Sequence, residues 1–120
     1  MNIAFNMTQC GLGNNGGTRT ILLCAKVLEE LGHKCDIIGV SDRFTWFEHK
    51  PIIPYVPDDL DAVIATACTT VMSTLSMDVP VKAWYIRAHE DWAMSDKQLK
   101  ELYNSGIINL VNSKGLQQRL

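Results

Sequence analysis

Asn2-Ile3-Ala4-Phe5-Asn6-Met7 opens the chain, and a polar, glycine-rich run follows: Thr8-Gln9-Cys10-Gly11-Leu12-Gly13-Asn14-Asn15-Gly16-Gly17. An amphipathic segment from Thr18 to Leu31 comes next, then Gly32 and the apolar run His33 to Val40. This order reads as strand, glycine loop, helix and second strand. Ile21, Cys24, Ala25, Leu28 and Leu31 recur at helical spacing, with Lys26, Glu29 and Glu30 on the other side. Thr18 is the expected N-cap and Gly32 the expected residue just past the helix end. Ile3-Ala4-Phe5 and Ile37-Ile38-Gly39-Val40 are short apolar runs of the kind buried on both faces of a parallel sheet. Together they predict a right-handed βαβ unit. A glycine loop feeding a helix start also suits an anion, because small residues let the backbone approach and first-turn amides point outward.

The rest of the composition sets bounds. A chain of 120 residues fits one domain with one core. Its 47% hydrophobic and 20% charged residues describe a globular protein rather than a disordered one. A formal net charge of −2 argues against nucleic acid as the main partner, which favours a basic stripe. No apolar run is long enough to span a bilayer, and no basic segment precedes an apolar core as in a signal peptide. Cys10, Cys24, Cys35 and Cys68 are scattered, without a Cys-x-x-Cys pair. Free thiols, no metal site and a cytoplasmic setting are therefore expected.

Beyond Val40 the pattern breaks. From Ser41 to Asp61, Pro51, Pro54 and Pro57 punctuate a segment in which Phe44, Trp46, Phe47 and Tyr55 alternate with charged residues. It is either a connecting loop or a wall that contacts an acceptor, with one short strand around Ile52-Ile53. Regularity then returns. Asp61 to Ala67 reads as a strand, Thr69 to Met77 as a short helix, and Val81 to Ile86 as a strand. Ser95 or Asp96 would cap a helix carrying Leu99, Leu102 and Tyr103, stopped by Gly106. Ile107 to Val111 is one more strand, and Asn112-Ser113 opens a helix with Leu116 and Leu120. A chain ending within an amphipathic helix suggests a fragment of a longer, two-domain protein.

The alternation predicts an α/β fold, a Rossmann-like open parallel sheet with helices on both faces, in one domain over residues 1–120. Ligands of such sheets bind outside the carboxyl ends of the strands, at the switch in strand order. Four polar stretches fall at those ends: 9–17, Thr66 to Thr70, Arg87 to Trp92, and Asn112-Ser113.

Gly11 to Gly16 matches G-x-G-x-x-G, with Asp36 twenty residues beyond Gly16. That pairing suits a dinucleotide. The gap from Phe5 to Gly11 is too long for it, and Asp36 falls inside the second strand rather than at its tip. Gly16-Gly17-Thr18-Arg19 is more informative. Adjacent glycines expose consecutive amides, and Arg19 places a positive charge where the helix dipole disfavours one, by a few tenths of a kcal/mol. An anionic ligand would offset that cost; a solvent-facing arginine is the alternative. His89 and Arg87 share one side of the chain after the strand and Glu90 lies on the other. His89 could bond a hydroxyl or move a proton near neutral pH, or be structural. His33, beside the helix end, is expected to be structural.

Taken together, these stretches resemble the first half of the GT-B glycosyltransferases, above all the large retaining family numbered four. Gly16-Gly17-Thr18-Arg19 with Leu28-Glu29-Glu30-Leu31-Gly32-His33 is similar to that family's G-G-x-x-R, helix, L-x-x-x-G-H. Ala65 to Thr70 resembles its A-T-x-W-x-T strand end, and Ala83 to Trp92 the corresponding segment of its rhamnosyltransferase-like members. Val111 to Leu120 is similar to its N-S-x-W-L-x-x-x-L segment. Arg87, His89 and Gly115 depart from the usual Gln, aromatic and Trp.

The resemblance implies the amino-terminal, acceptor-side domain of a transferase that moves a sugar from a nucleotide-sugar to an acceptor hydroxyl with retention. Asn15, Gly16, Gly17, Thr18 and Arg19 would face the donor diphosphate. His89 and Glu90 are the catalytic candidates, and Thr69, Thr70, Arg87, Asn112 and Ser113 would line the acceptor cleft. The nucleotide-sugar is substrate, and no cofactor is implied. Its partners would be a glycan or lipid-linked acceptor and the carboxyl-terminal domain, without which the 120 residues are expected to be inactive. The setting would be carbohydrate biosynthesis in the cytoplasm, at the inner face of a membrane for a lipid-linked acceptor. The alternatives are an NAD(P)-dependent oxidoreductase domain and a flavodoxin-like binding module without chemistry.

Overall fold

The computed structural model describes residues 1–7, 16–39, 52–86 and 94–111, with backbone only for residues 16–19 and 52. Six strands and three helices occur among them in the order β1 (Asn2–Asn6), α1 (Gly16–Glu30), β2 (Lys34–Ile38), β3 (Ile52–Ile53), β4 (Ala62–Ala65), α2 (Cys68–Leu75), β5 (Val81–Ile86), α3 (Asp96–Tyr103) and β6 (Ile108–Val111). The strands form one sheet in the order β3-β2-β1-β4-β5-β6. Every pairing is parallel. The fold is an α/β Rossmann-like open sheet.

Alternation along the strands decides which face each helix covers. Ile3 and Phe5 of β1 and Cys35 and Ile37 of β2 point to one face, where they pack with Ile21, Leu22 and Ala25 of α1. Ala65 of β4 and Trp84 and Ile86 of β5 point to the other, against Cys68 and Val71 of α2 and Leu99, Leu102 and Tyr103 of α3. A third cluster of Ala4, Ile38, Leu60, Val63 and Val79 continues that second face towards β2. Helices therefore lie on both faces. The reversal follows from the strand order: the chain steps outward from β1 to β2 in one direction and from β4 to β6 in the other. Crossovers of one hand then place their helices on opposite sides.

The helix ends explain the boundaries. Gly32 has a φ of +95°, in the region that favours glycine. Around it the Gly32 N–H donates to Glu29 O at 3.0 Å and the His33 N–H to Leu28 O at 3.1 Å, the paired bonds of a Schellman motif. Leu31 is the C-cap in that motif and is 69% exposed, so it does not join the apolar face that its spacing predicts. At the other end α1 begins at Gly16, two residues before the expected start, which makes Thr18 its third residue rather than its N-cap. Helix α3 has a reciprocal cap at its start. The Gln98 N–H donates to Ser95 Oγ at 3.3 Å and the Ser95 N–H donates to Gln98 Oε1 at 3.1 Å.

The rings of Trp84 and Tyr103 stack with centroids 5.1 Å apart and an interplanar angle of 21°, fixing α3 onto β5. Lys82 Nζ donates to Leu75 O at 2.7 Å, a cation at the carboxyl end of α2 where the helix dipole favours one. Cys24, Cys35 and Cys68 are free thiols, the last two buried. Among the described residues no helix is long and apolar enough to cross a membrane.

Candidate functional site

In a parallel sheet with helical crossovers the helices run opposite to the strands, so their amino-terminal ends gather at the strands' carboxyl edge. Between β1 and β4 the chain departs in opposite directions, α1 over one face and α2 over the other, and such a switch in strand order is where sheets of this kind form their ligand crevice. Two helix amino-termini thus flank the end of β1.

Gly16, Gly17, Thr18 and Arg19 form the first turn of α1. The first four amides of a helix have no acceptor within it, and two glycines at its start leave no side chain over the backbone there. Across the crevice, α2 starts at Cys68 and carries Thr69 and Thr70 in its first turn. Thr69 is exposed. Thr70 is fully buried, and its hydroxyl is turned back into the fold. Its Oγ1 accepts from the Thr66 N–H at 3.1 Å and the Ala67 N–H at 3.2 Å, and donates to Ala67 O at 2.8 Å. The bond to Ala67 N–H is the returning half of a capping box. Thr70 therefore lies at the crevice but shapes it from below.

Beneath it sits a polar cluster that joins Thr66 and Thr70 to Asn6, Ser73 and Thr74, three residues that the sequence did not single out. Asn6, the last residue of β1, is 0% exposed. Its Nδ2 donates to Ser73 Oγ and Thr74 Oγ1, both at 2.9 Å, and to Thr70 O at 3.4 Å. Its carbonyl oxygen accepts from Thr66 Oγ1 at 2.9 Å. Ser73 Oγ and Thr74 Oγ1 donate in turn to Thr70 O, at 3.0 and 2.8 Å. A sequence signal for this cluster does exist. Thr70, Ser73 and Thr74 stand at i, i+3 and i+4, one hydroxyl-bearing helix face, and Asn6 follows the apolar run Ile3-Ala4-Phe5.

Other candidates separate from this place. Asp36 pairs with Ala4 in the middle of β2 and makes an ion pair with Lys34 at 4.0 Å, away from the strand tip. Residues 7–15 lie between β1 and α1, a longer connection than a dinucleotide fingerprint uses. His33 lies next to the amino end of β2, at the edge opposite the crevice. Asn15, Arg87, His89, Glu90, Asn112 and Ser113 lie outside the described residues, as does the aromatic segment 41–51. On the α1 face, Phe5, Leu23, Cys24, Val27, Ile64, Tyr85 and Leu110 line an apolar groove of about 490 Å³ to which none of the described residues brings a charge, a lining that does not fit a diphosphate. Among the described residues no group of His, Cys, Asp or Glu could hold a metal ion. Compared with known proteins, the chain matches no family model, no curated protein and no solved structure.

Proposed function

We propose that this chain is the acceptor-side domain of a retaining glycosyltransferase that takes a nucleotide-activated sugar. The observation that carries the reading is the start of α1 at Gly16-Gly17, beside the β1/β4 switch in strand order. A helix start stripped of side chains, at the edge where such sheets take ligands, suits a diphosphate leaving group. Its amides would stabilise the charge that develops on the diphosphate as the glycosidic bond breaks. Arg19 adds a positive charge to the same turn. His89, Glu90 and Arg87 follow β5 in sequence, and Asn112 and Ser113 follow β6. In this reading His89 bonds the sugar or the acceptor hydroxyl, and holding donor and acceptor together lowers the barrier by orientation. The acceptor is a glycan or a lipid-linked glycan.

One observation favours a second reading. The strand order is also that of dinucleotide-binding sheets. The position of Asp36 and the length of residues 7–15 weigh against it. The two readings separate in one experiment on the polypeptide made from the complete reading frame. It is incubated with nucleotide-sugars and acceptor glycans, and the anomeric configuration of the product is read by NMR. Transfer with retention is the expected result. Micromolar binding of reduced nicotinamide, seen as fluorescence enhancement and without sugar transfer, would contradict it.

A further inference from the structure

We propose that Asn6 is a positioning residue for the crevice, holding α2, through Ser73 and Thr74 of its second turn, against the end of β1 so that both walls keep a fixed separation. The proposal rests on the nucleotide-sugar reading of that site. Four described polar residues are buried, Asn6, Thr66, Thr70 and Thr74, at 0%, 1%, 0% and 0% exposure, and all four belong to this one cluster. It stands at the β1/β4 switch. Apolar residues at 6 and 74 would fill the same space without the desolvation that buried polar groups incur. What hydrogen bonds add is a unique geometry, because a buried network is satisfied in one arrangement only.

The bonds tie β1 to three other elements. Asn6 Nδ2 reaches Ser73 Oγ and Thr74 Oγ1 of α2, both at 2.9 Å. The Asn6 backbone carbonyl accepts from the Thr66 hydroxyl at the end of β4 at 2.9 Å. One residue later, the Met7 N–H donates to Ile38 O of β2 at 2.8 Å. The end of β1 is thus tied to β2, β4 and α2 at the point where the chain leaves for the glycine-rich run. Asn6 does not touch the ligand in this proposal; it acts through α2 and through the direction in which β1 ends.

The test uses the polypeptide from the complete reading frame with UDP, GDP and ADP as probes, at a temperature where each variant is folded by its cooperative unfolding curve. Asn6→Leu keeps the number and branching of the side-chain heavy atoms and removes both donors. It is expected to bind the preferred nucleotide at least tenfold more weakly than the wild type, while Ser76→Ala, at the far end of α2, binds as the wild type does. Wild-type affinity in folded Asn6→Leu would overturn the proposal. Should Asn6→Leu fail to fold, Thr74→Val removes one acceptor of the amide. A loss of at least threefold there supports the role, and an unchanged affinity overturns it. If the wild type binds none of the three probes, the nucleotide-sugar reading fails and takes this proposal with it, an outcome distinct from equal binding by wild type and variant.

Discussion

Thr70 and Gly32 show how single residues set this fold, one through its side chain and the other through its lack of one. The Thr70 hydroxyl serves two backbone N–H groups and one carbonyl at the β4–α2 junction. Thr70→Val preserves the shape and leaves two buried donors without that acceptor. A destabilisation of about 1–3 kcal/mol is expected, measured by denaturant unfolding; a variant as stable as wild type would show that the hydroxyl is dispensable. At Gly32 the φ of +95° makes any side chain unfavourable, although an added Cβ would meet nothing within 4 Å. The cost of Gly32→Ala is therefore conformational alone, about 1 kcal/mol, and should appear as a lower unfolding midpoint. The glycine was legible in the sequence because it follows an apolar periodicity and ends it. The role of Thr70 was not. A threonine pair at a strand end reads equally well as cleft lining or as a cap, and only the fold reveals which hydroxyl is turned inward.

At the scale of elements, periodicity located the strands and helices among the described residues to within a few residues. Helix α1 is the instructive case. Its apolar face is as spaced at Ile21 and Ala25, but the helix starts at Gly16 rather than Thr18 and releases Leu31 to solvent. Threonine is a good N-cap by propensity, yet tertiary placement of the helix decides where its first turn begins. Helix α3 is held differently, by its Ser95 cap and by the Trp84–Tyr103 stack. Trp84 is fully buried, and its indole Nε1 has no hydrogen-bond partner among the described residues. Trp84→Ala should cost about 3–5 kcal/mol by opening a cavity under α3. Trp84→Phe should cost clearly less, since it keeps a ring against Tyr103 and removes an unpartnered donor. Equal losses in the two variants, by chemical denaturation, would assign the stability of this junction to the indole itself.

For the molecule as a whole, the strand order carries the functional argument. Alternating strands and helices announced a parallel open sheet, but spacing along a chain holds no record of which strand lies beside which. The placement of β4 next to β1, rather than beyond β3, creates the switch and brings the start of α1 and the start of α2 to one edge. Asn6 gained its meaning from the same pairing, since a polar residue ending a strand is unremarkable until its neighbours are known. The central claim is that this edge takes a nucleotide-sugar. It is tested most directly by titrating the isotope-labelled chain with UDP-, GDP- and ADP-sugars and following backbone amide shifts by NMR. Saturable shifts at Gly16, Gly17 and Thr69 are the expected result. Shifts confined to Lys34, Asp59 and Asp61 at the opposite edge, or none with any of the three donors, would contradict it.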